Sequence, residues 1–209
     1  MTSLAARERA ALCDTLNAVG PDSPTLCGDW TTRDLAAHLI IREGNPAALG
    51  VAIRVLSGWT ERAQRNVATR PFGDLVDTLR RGPPLWSPMR SGRIDTLLNT
   101  FEYFVHHEDV LRAQATWQPR ATPTDDQRVL FEGLRRRASL YLRRSPVAVI
   151  LDVEGFGHIA VGNQPSGVSV RGSATEVLLY IHGRTSVARV ELSGRPDSVD
   201  AFRRLRLAV

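Results

Sequence analysis

Two histidines and a glutamate have the side-chain types and the spacing of a metal site. Glu102 and His106 stand four residues apart in a segment with helical periodicity, so both side chains point to one face of that helix. Phe101 and Val105 lie beside them on the apolar stripe, which directs the polar pair toward the interior of a helical bundle. A buried carboxylate next to a buried imidazole is costly unless something compensates both groups, and a metal ion does so.

A third donor comes from His38, in the most apolar part of another predicted helix. An imidazole there needs a partner, and antiparallel helices in a bundle bring it opposite Glu102 and His106. Two histidines and one carboxylate, with a fourth position left to water, form the usual set of a catalytic zinc site. Bundle cores commonly hold metals between facing helices in this way. Taken alone, His38 is more typical of a core histidine with protein partners.

The residues that follow His106 are assigned supporting roles. His107 is rotated by about 100° from His106 around the helix, so it is expected to pack, to cap or to support the site from behind. Glu108 and Asp109 are interpreted as solvated acids or as acids that support the ligands.

Composition and cysteine content indicate a cytoplasmic globular protein. The chain has 209 residues, 43% of them hydrophobic, which suits one large or two small domains. No apolar run approaches the roughly 18–20 residues that cross a membrane, and the N-terminus lacks the apolar core of a secretory signal. The two cysteines, Cys13 and Cys27, are expected to be reduced and to serve as small apolar side chains. Cys27 lies in a loop near the proposed site, which leaves a reactive role open.

The basic charge does not by itself indicate a nucleic-acid partner. The net charge is +5, and all 27 basic residues are arginine because the sequence contains no lysine. A genome-wide coding bias explains this simply, and the arginine clusters alternate with apolar residues as on a solvated helix face. Patterns typical of zinc fingers, helix-turn-helix modules or stacking aromatics are missing. The glycine-rich motifs of nucleotide-binding sites are missing too, so neither nucleic acid nor a nucleotide cofactor is expected.

Periodicity, caps and breaks predict helices in the first part of the chain. Thr31 and Asp34 form a capping box at the start of the His38 helix. Residues 46–81 are predicted as helical pieces, interrupted at Gly50, Gly58, Pro71 and Gly73, and Gly82-Pro83-Pro84 is a clear break. The remaining helices are predicted at residues 3–18, from Thr31 to about Glu43, and from about Arg93 to Gln114.

Strand patterns appear only after a linker at residues 117–123. Strands are predicted at residues 147–153, 157–161, 168–171 and 187–192, and helices from Thr124 to about Arg143, at Ser173–His182 and at Asp197–Arg206. We therefore expect an α+β chain, with a helical bundle at residues 1–120 and a small α/β domain at residues 121–209.

Two segments resemble a known family. Residues 26–39, LCGDWTTRDLAAHL, resemble the GWT-x-x-DLAAHL signature of the DinB/YfiT-like metal-binding superfamily, and more narrowly of the mycothiol-dependent maleylpyruvate isomerase-like family. Residues 102–110, EYFVHHEDV, resemble the E-x-x-VHHxD segment of that family. The resemblance implies a DinB-like four-helix bundle with metal ligands at His38, Glu102 and His106. The Gly-Asp-Trp of this chain, where Gly-Trp is commoner, touches no ligand.

A third segment, residues 172–184, looks like the G-x-A-x-E-x-x-L-x-x-x-GR helix of the same family. The resemblance makes Arg184 a candidate contact for an anionic substrate, because the planar fork of arginine matches a carboxylate. A charge that complements the end of the helix dipole is an equal alternative for Arg184.

The function implied by the resemblance is that of a zinc enzyme that uses the thiol mycothiol. Such an enzyme would catalyse isomerisation or thiol transfer on a small electrophilic or anionic substrate. The protein is expected to be a monomer or a homodimer. One alternative is a metal-dependent hydrolase, which would activate water. Another is a metal- or thiol-binding protein without turnover. Besides the ligands, His107, Glu43 and Glu108 are the candidates for a general base.

Overall fold

The computed structural model describes residues 2–44, 57–84, 87, 92–164 and 166–207. The chain divides into two compact units, Met1–Pro119 and Arg120–Val209. None of the helices in the described ranges is long and apolar enough to cross a bilayer.

The first unit is helical. Its described helices are α1 (Leu4–Val19), α2 (Thr32–Gly44), α3 (Ser57–Ala68), α4 (Phe72–Arg81) and α5 (Gly92–Leu111). Leucines at helical spacing on α1, α2 and α4 meet α5 in the core, where the fully buried side chains include Leu12, Leu16, Leu35, Leu39, Leu75, Leu79, Tyr103 and Val110. Because these side chains repeat every three or four residues, each helix presents one apolar face to a shared interior.

The predicted interruptions at Gly58 and Gly73 coincide with the starts of helices. Gly58 is the second residue of α3 and Gly73 is the second residue of α4. Pro71 does interrupt the chain, since it is the residue before α4. The predicted break at Gly50 lies outside the described residues.

The second unit places three helices and a sheet together. Its elements are α6 (Thr124–Tyr141), β1 (Ala148–Val153), β2 (Gly157–Val161), β3 (Gly167–Gly172), α7 (Ala174–Ile181), β4 (Glu191–Gly194) and α8 (Pro196–Arg203). The strand order is β2-β1-β3-β4, with β1 and β3 parallel and the two outer pairs antiparallel. Alternate β1 residues are buried, while Ile150 on the opposite face is 45% exposed. The α+β fold expected from the sequence is confirmed, whereas the count of four helices in the bundle stays a prediction.

Two element boundaries in this unit differ from the prediction. Pro123 precedes α6 and its carbonyl accepts the amide of Gln127, so Thr124 is the first helical residue and not a side-chain cap. The predicted strand at residues 187–192 is wrong, because the strand comprises Glu191–Gly194 instead. In the preceding segment, the amide of Arg189 donates to the carboxylate of Glu176 on α7 at 2.7 Å. This amide is therefore not available for hydrogen bonding to a neighbouring strand.

Candidate metal centre

Helix α2 carries His38 and begins with the predicted capping box. The Thr31 amide donates to the Asp34 carboxylate at 3.0 Å, and the Asp34 amide donates to the Thr31 hydroxyl at 3.4 Å. Each side chain thus satisfies an amide that has no partner within the helix. Trp30, just before the cap, packs its ring 5.0 Å from the His38 ring. The start of the helix and this aromatic contact together fix the position of the His38 imidazole.

Helix α5 is oriented by the histidine next to the predicted ligand. His107 is buried, and its Nδ1 lies 2.8 Å from the carboxylate of Glu8 on α1. Its Nε2 lies 2.9 Å from the hydroxyl of Thr15, two turns further along α1. Both ring nitrogens therefore bind α1. Because neighbouring residues differ by about 100° around a helix, this contact turns His106 away from α1.

The loop before α2 is fastened to the end of α5. The Leu26 amide donates to the Asp109 carbonyl at 3.1 Å, which is among the last carbonyls of the helix and has no helical partner there. Thr25 donates its hydroxyl to the Trp30 carbonyl at 2.8 Å and accepts the amide of Cys27 at 3.2 Å. These bonds hold the Cys27 thiol beside the last turns of α5.

The three predicted ligands meet around one carboxylate oxygen. Glu102 Oε1 lies 3.2 Å from His106 Nε2 and 3.5 Å from His38 Nε2. The three donor atoms lie within 4.8 Å of one another, and their side chains are 13–28% exposed. Zinc bonds of about 2.0–2.2 Å in a tetrahedron place neighbouring donors about 3.4 Å apart. The donor set and its spacing therefore fit a divalent metal with little movement.

Asp109 stands behind His106, one turn further along α5. Its buried carboxylate lies 2.9 Å from His106 Nδ1, so this ring nitrogen donates to it. A carboxylate in this position fixes the tautomer and orientation of a metal-binding imidazole and raises its basicity. The sequence allowed two interpretations of Asp109, a solvated acid or an acid that supports a ligand, and the structure places Asp109 against His106. The i, i+3 spacing of the two residues indicated this contact.

Arg42 is a site residue that sequence reasoning missed. Its Nε lies 3.2 Å from Glu102 Oε1, and its guanidinium also donates to the Asn99 side chain. Arg42 follows His38 by one helical turn on α2, and Asn99 precedes Glu102 by three residues on α5. Both spacings were visible in the sequence, because such pairs lie on one helix face. A cation thus borders the predicted ligands.

The charges of this cluster shift two pKa values in opposite directions. Burial alone would raise the pKa of Glu102, but hydrogen bonds from His106 and His38 and the charge of Arg42 hold it well below its usual value. Burial alone would lower the pKa of His106, but its bonds to Asp109, Cys27 and Glu102 raise it well above the usual value. Both His106 nitrogens then carry protons, and a metal at Nε2 would take the place of one of them.

The residues named as candidate general bases are engaged elsewhere. His107 binds Glu8 and Thr15, as described above. Glu43 accepts from Arg9 at 2.6 Å and from the Tyr103 hydroxyl at 2.5 Å. Glu108 forms a 2.6 Å ion pair with Arg112, and both side chains are almost fully buried. The interpretation of Glu108 as a solvated or ligand-supporting acid is therefore wrong, because this pair occupies its carboxylate at the far end of α5.

The two cysteines have different surroundings. Cys13 is fully buried in the core of the first unit, and burial raises the pKa of its thiol to about 11. Cys27 is half-buried, donates its thiol to Asp109 at 3.1 Å and lies 3.6 Å from His106 Nδ1. Cys27 therefore shares the Asp109 carboxylate with the predicted ligand.

Arg184 lies in the second unit, directly after α7. Its guanidinium donates to the carbonyl of His182 at 2.6 Å. The Arg184 backbone is anchored as well, because its amide donates to the Leu179 carbonyl at 3.0 Å. These bonds define the place of Arg184 in its own unit, and a contact between Arg184 and a substrate stays a prediction.

Comparison with known proteins supports the fold. No family model matches the sequence, and no curated protein matches it. Among solved structures, a mycothiol-dependent maleylpyruvate isomerase superposes with a TM-score of 0.65 at 16% identity, covering 91% of this chain and 90% of the other. A histidine-to-alanine mutant of such an isomerase gives a TM-score of 0.62 at 14% identity over the same shares. The chain therefore has the fold of the mycothiol-dependent maleylpyruvate isomerase, as the sequence resemblance implied.

Proposed function

We propose that this protein is a divalent-metal enzyme, with zinc as the metal, that uses a low-molecular-weight thiol to isomerise or modify a small electrophilic substrate. The observation that carries the proposal is the convergence of His38, Glu102 and His106 around one carboxylate oxygen. The likeness in fold to a mycothiol-dependent isomerase supports the choice of mycothiol as the thiol.

The residues of the candidate site would have different roles in such an enzyme. When bound, zinc lowers the pKa of a coordinated thiol or water and so supplies a nucleophile at neutral pH. His38 and His106 would each offer an imidazole Nε2, Glu102 offers a carboxylate whose low pKa keeps it charged, and Asp109 orients His106. The three ligands leave a fourth tetrahedral position for the thiol, which is the arrangement of catalytic zinc sites.

An anionic substrate would meet a guanidinium. Arg42 is in place beside Glu102 at 3.2 Å, and it is 19% exposed, so an anion in the site can reach its charge. Arg184, predicted from the sequence, is the second candidate, and its fork suits a carboxylate equally well. Substituting each arginine by glutamine distinguishes the two candidates. Loss of the arginine that contacts the substrate should raise KM for an anionic substrate without changing the metal content.

A hydrolase is less well supported than a thiol-dependent enzyme. A zinc hydrolase needs a base or an acid within hydrogen-bond reach of its water and substrate. His107, Glu43 and Glu108, the three candidates from the sequence, are occupied by Glu8, Arg9 and Arg112. Zinc activates water and thiol alike, but hydrolysis also needs an acid to protonate the leaving group, whereas addition of a thiolate to an electrophile expels no leaving group. This difference favours the thiol reaction.

The decisive experiment titrates mycothiol into the zinc-loaded protein by calorimetry, with S-methyl mycothiol as the control that cannot form a thiolate. The proposal expects binding that requires both the metal and the free thiol, together with mycothiol-dependent cis–trans isomerisation of maleylpyruvate or conjugation of another electrophile. Equal binding of the two compounds, or binding without zinc, would contradict the thiol chemistry. Thiol binding without turnover of any electrophile would favour a sensor.

A further inference from the structure

A second candidate site lies wholly within the second unit, in a cavity of about 630 Å³. This volume is within the range of about 300–1,000 Å³ typical of small-molecule pockets. The cavity is bounded by the end of α7, the turn that follows it, β4 and the last turn of α8. Arg184 is not among its lining residues, which include Tyr180, Val190, Leu192, Phe202 and Leu207.

Polar and apolar surface line the cavity in similar amounts. The Phe202 ring is fully buried and lies 6.1 Å from the Tyr180 ring in a stacked arrangement. Val190 and Leu192 are only half-buried, although each is a large aliphatic side chain. Aliphatic surface left open inside a concave wall is available for the apolar part of a ligand.

Tyr180 brings a hydroxyl group to the cavity wall. The residue is only 5% exposed, and its hydroxyl makes no hydrogen bond to any residue that the structure describes. The hydroxyl is not one of the fully buried polar atoms, so water reaches it and a ligand can replace that water as its partner. Burial also raises the pKa of Tyr180, so its hydroxyl stays a proton donor at neutral pH. A ligand that accepts a hydrogen bond would satisfy it.

The rim of the cavity is cationic. Arg203 and Arg206 line it, both are exposed, and neither has a carboxylate partner within the described residues. Arg203 is close enough to Tyr180 for its charge to favour the ionised phenol, which opposes the effect of burial. Two guanidinium groups beside a hydrogen-bond donor form a receptor for a carboxylate, which accepts bonds at both oxygens.

We propose that this cavity binds an amphipathic carboxylate, with the alkyl chain against Phe202 and Leu192 and the carboxylate between Arg203, Arg206 and the Tyr180 hydroxyl. A neutral lipid would leave both guanidinium groups unused, and a small inorganic anion would leave the aliphatic wall in water. The ligand class thus follows from the aliphatic and aromatic side chains in the wall, the Tyr180 hydroxyl and the cationic rim, which occur together in one cavity.

The test titrates octanoate into the full-length protein, with 1-octanol as the neutral comparison, and maps the affected residues by NMR. We expect octanoate to bind with a Kd below about 1 mM, octanol to bind more weakly, and shifts at Val190 and Leu192. The double variant Arg203→Gln/Arg206→Gln should weaken octanoate binding at least about tenfold, since charge-assisted bonds are lost. Tyr180→Phe, which keeps the ring, should weaken it by about two- to tenfold.

Matched controls separate the cavity from the general positive charge of the chain. Arg195→Gln/Arg204→Gln removes the same charge from exposed positions outside the lining and should leave octanoate binding unchanged. His38→Ala should also leave it unchanged. The proposal is overturned if wild type fails to bind, if the control pair loses as much affinity as the rim pair, or if His38→Ala abolishes binding, which would place the carboxylate at the metal centre.

Discussion

Asp109→Asn should weaken zinc binding although Asp109 is not itself one of the three predicted ligands. Its buried Oδ2 accepts from His106 Nδ1 at 2.9 Å and from the Cys27 thiol at 3.1 Å. Loss of a carboxylate behind a metal-binding histidine typically costs 10- to 100-fold in affinity, which is about 1.4–2.7 kcal/mol. Asparagine keeps an acceptor oxygen of the same shape and loses only the charge, so we expect a loss near the lower figure, about tenfold.

The size of this loss should depend on pH. Asp109 contributes to the raised pKa of His106, so the wild type also holds the competing proton more tightly than the variant does. At pH values above the raised pKa of His106, we expect the full loss in zinc affinity. As pH falls below that pKa, the zinc affinities of the variant and the wild type should approach each other. Competition with a zinc-chelating indicator at a series of pH values measures the zinc affinity of each protein.

The control for this experiment is Asp14→Asn, which changes an exposed carboxylate on α1 that pairs with Arg80. It should leave zinc affinity unchanged at every pH. The reasoning is refuted if Asp109→Asn, shown to be folded by its circular dichroism, binds zinc within about a factor of two of wild type at the alkaline end of the range.

Three further predictions concern stability, reactivity and protons. Glu108→Gln leaves Arg112 buried without its anion, so the free energy of unfolding in urea should fall by roughly 3–5 kcal/mol; an unchanged unfolding midpoint would contradict the buried pair. In the native protein at pH 8, iodoacetamide should label Cys27 and spare Cys13, because burial and a pKa of about 11 both suppress the Cys13 thiolate. Peptide mass spectrometry measures the labelling of each cysteine, and faster labelling of Cys13 would contradict the prediction. Zinc binding should release protons and should weaken as pH falls through the raised pKa of His106, since the metal replaces the Nε2 proton. Calorimetry in buffers of different ionisation enthalpy counts the protons released, and a zinc affinity that does not change with pH would contradict the prediction.

The local features of the candidate metal centre were predictable from sequence because they depend on helical spacing. The capping box at Thr31 and Asp34 places the start of α2, and the i, i+4 relation of Glu102 to His106 puts both on one face. The approach of His38 to that face required the pairing of two helices, and the structure brings it there.

Glu108 and the last strand were misassigned for different physical reasons. The pairing of Glu108 with Arg112 is a local i, i+4 contact that is visible in the sequence, whereas the burial of this pair depends on the fold around the end of α5. The strand at residues 187–192 was misplaced because the tether from Arg189 to Glu176 joins positions 13 residues apart. Periodicity alone cannot reveal such a bond. Arg42, by contrast, had a usable signal in its one-turn spacing from His38.

The central claim is that His38, Glu102 and His106 together bind one divalent metal ion, and metal analysis of purified variants tests it most directly. Elemental analysis of the wild type, His38→Ala, Glu102→Gln and His106→Ala should be set beside His158→Ala, which removes an exposed histidine of β2. The account predicts stoichiometric zinc in the wild type and in His158→Ala, and its loss from each of the other three. Wild-type protein that takes up no metal even after reconstitution, or ligand variants that retain it at the wild-type level, would contradict the account.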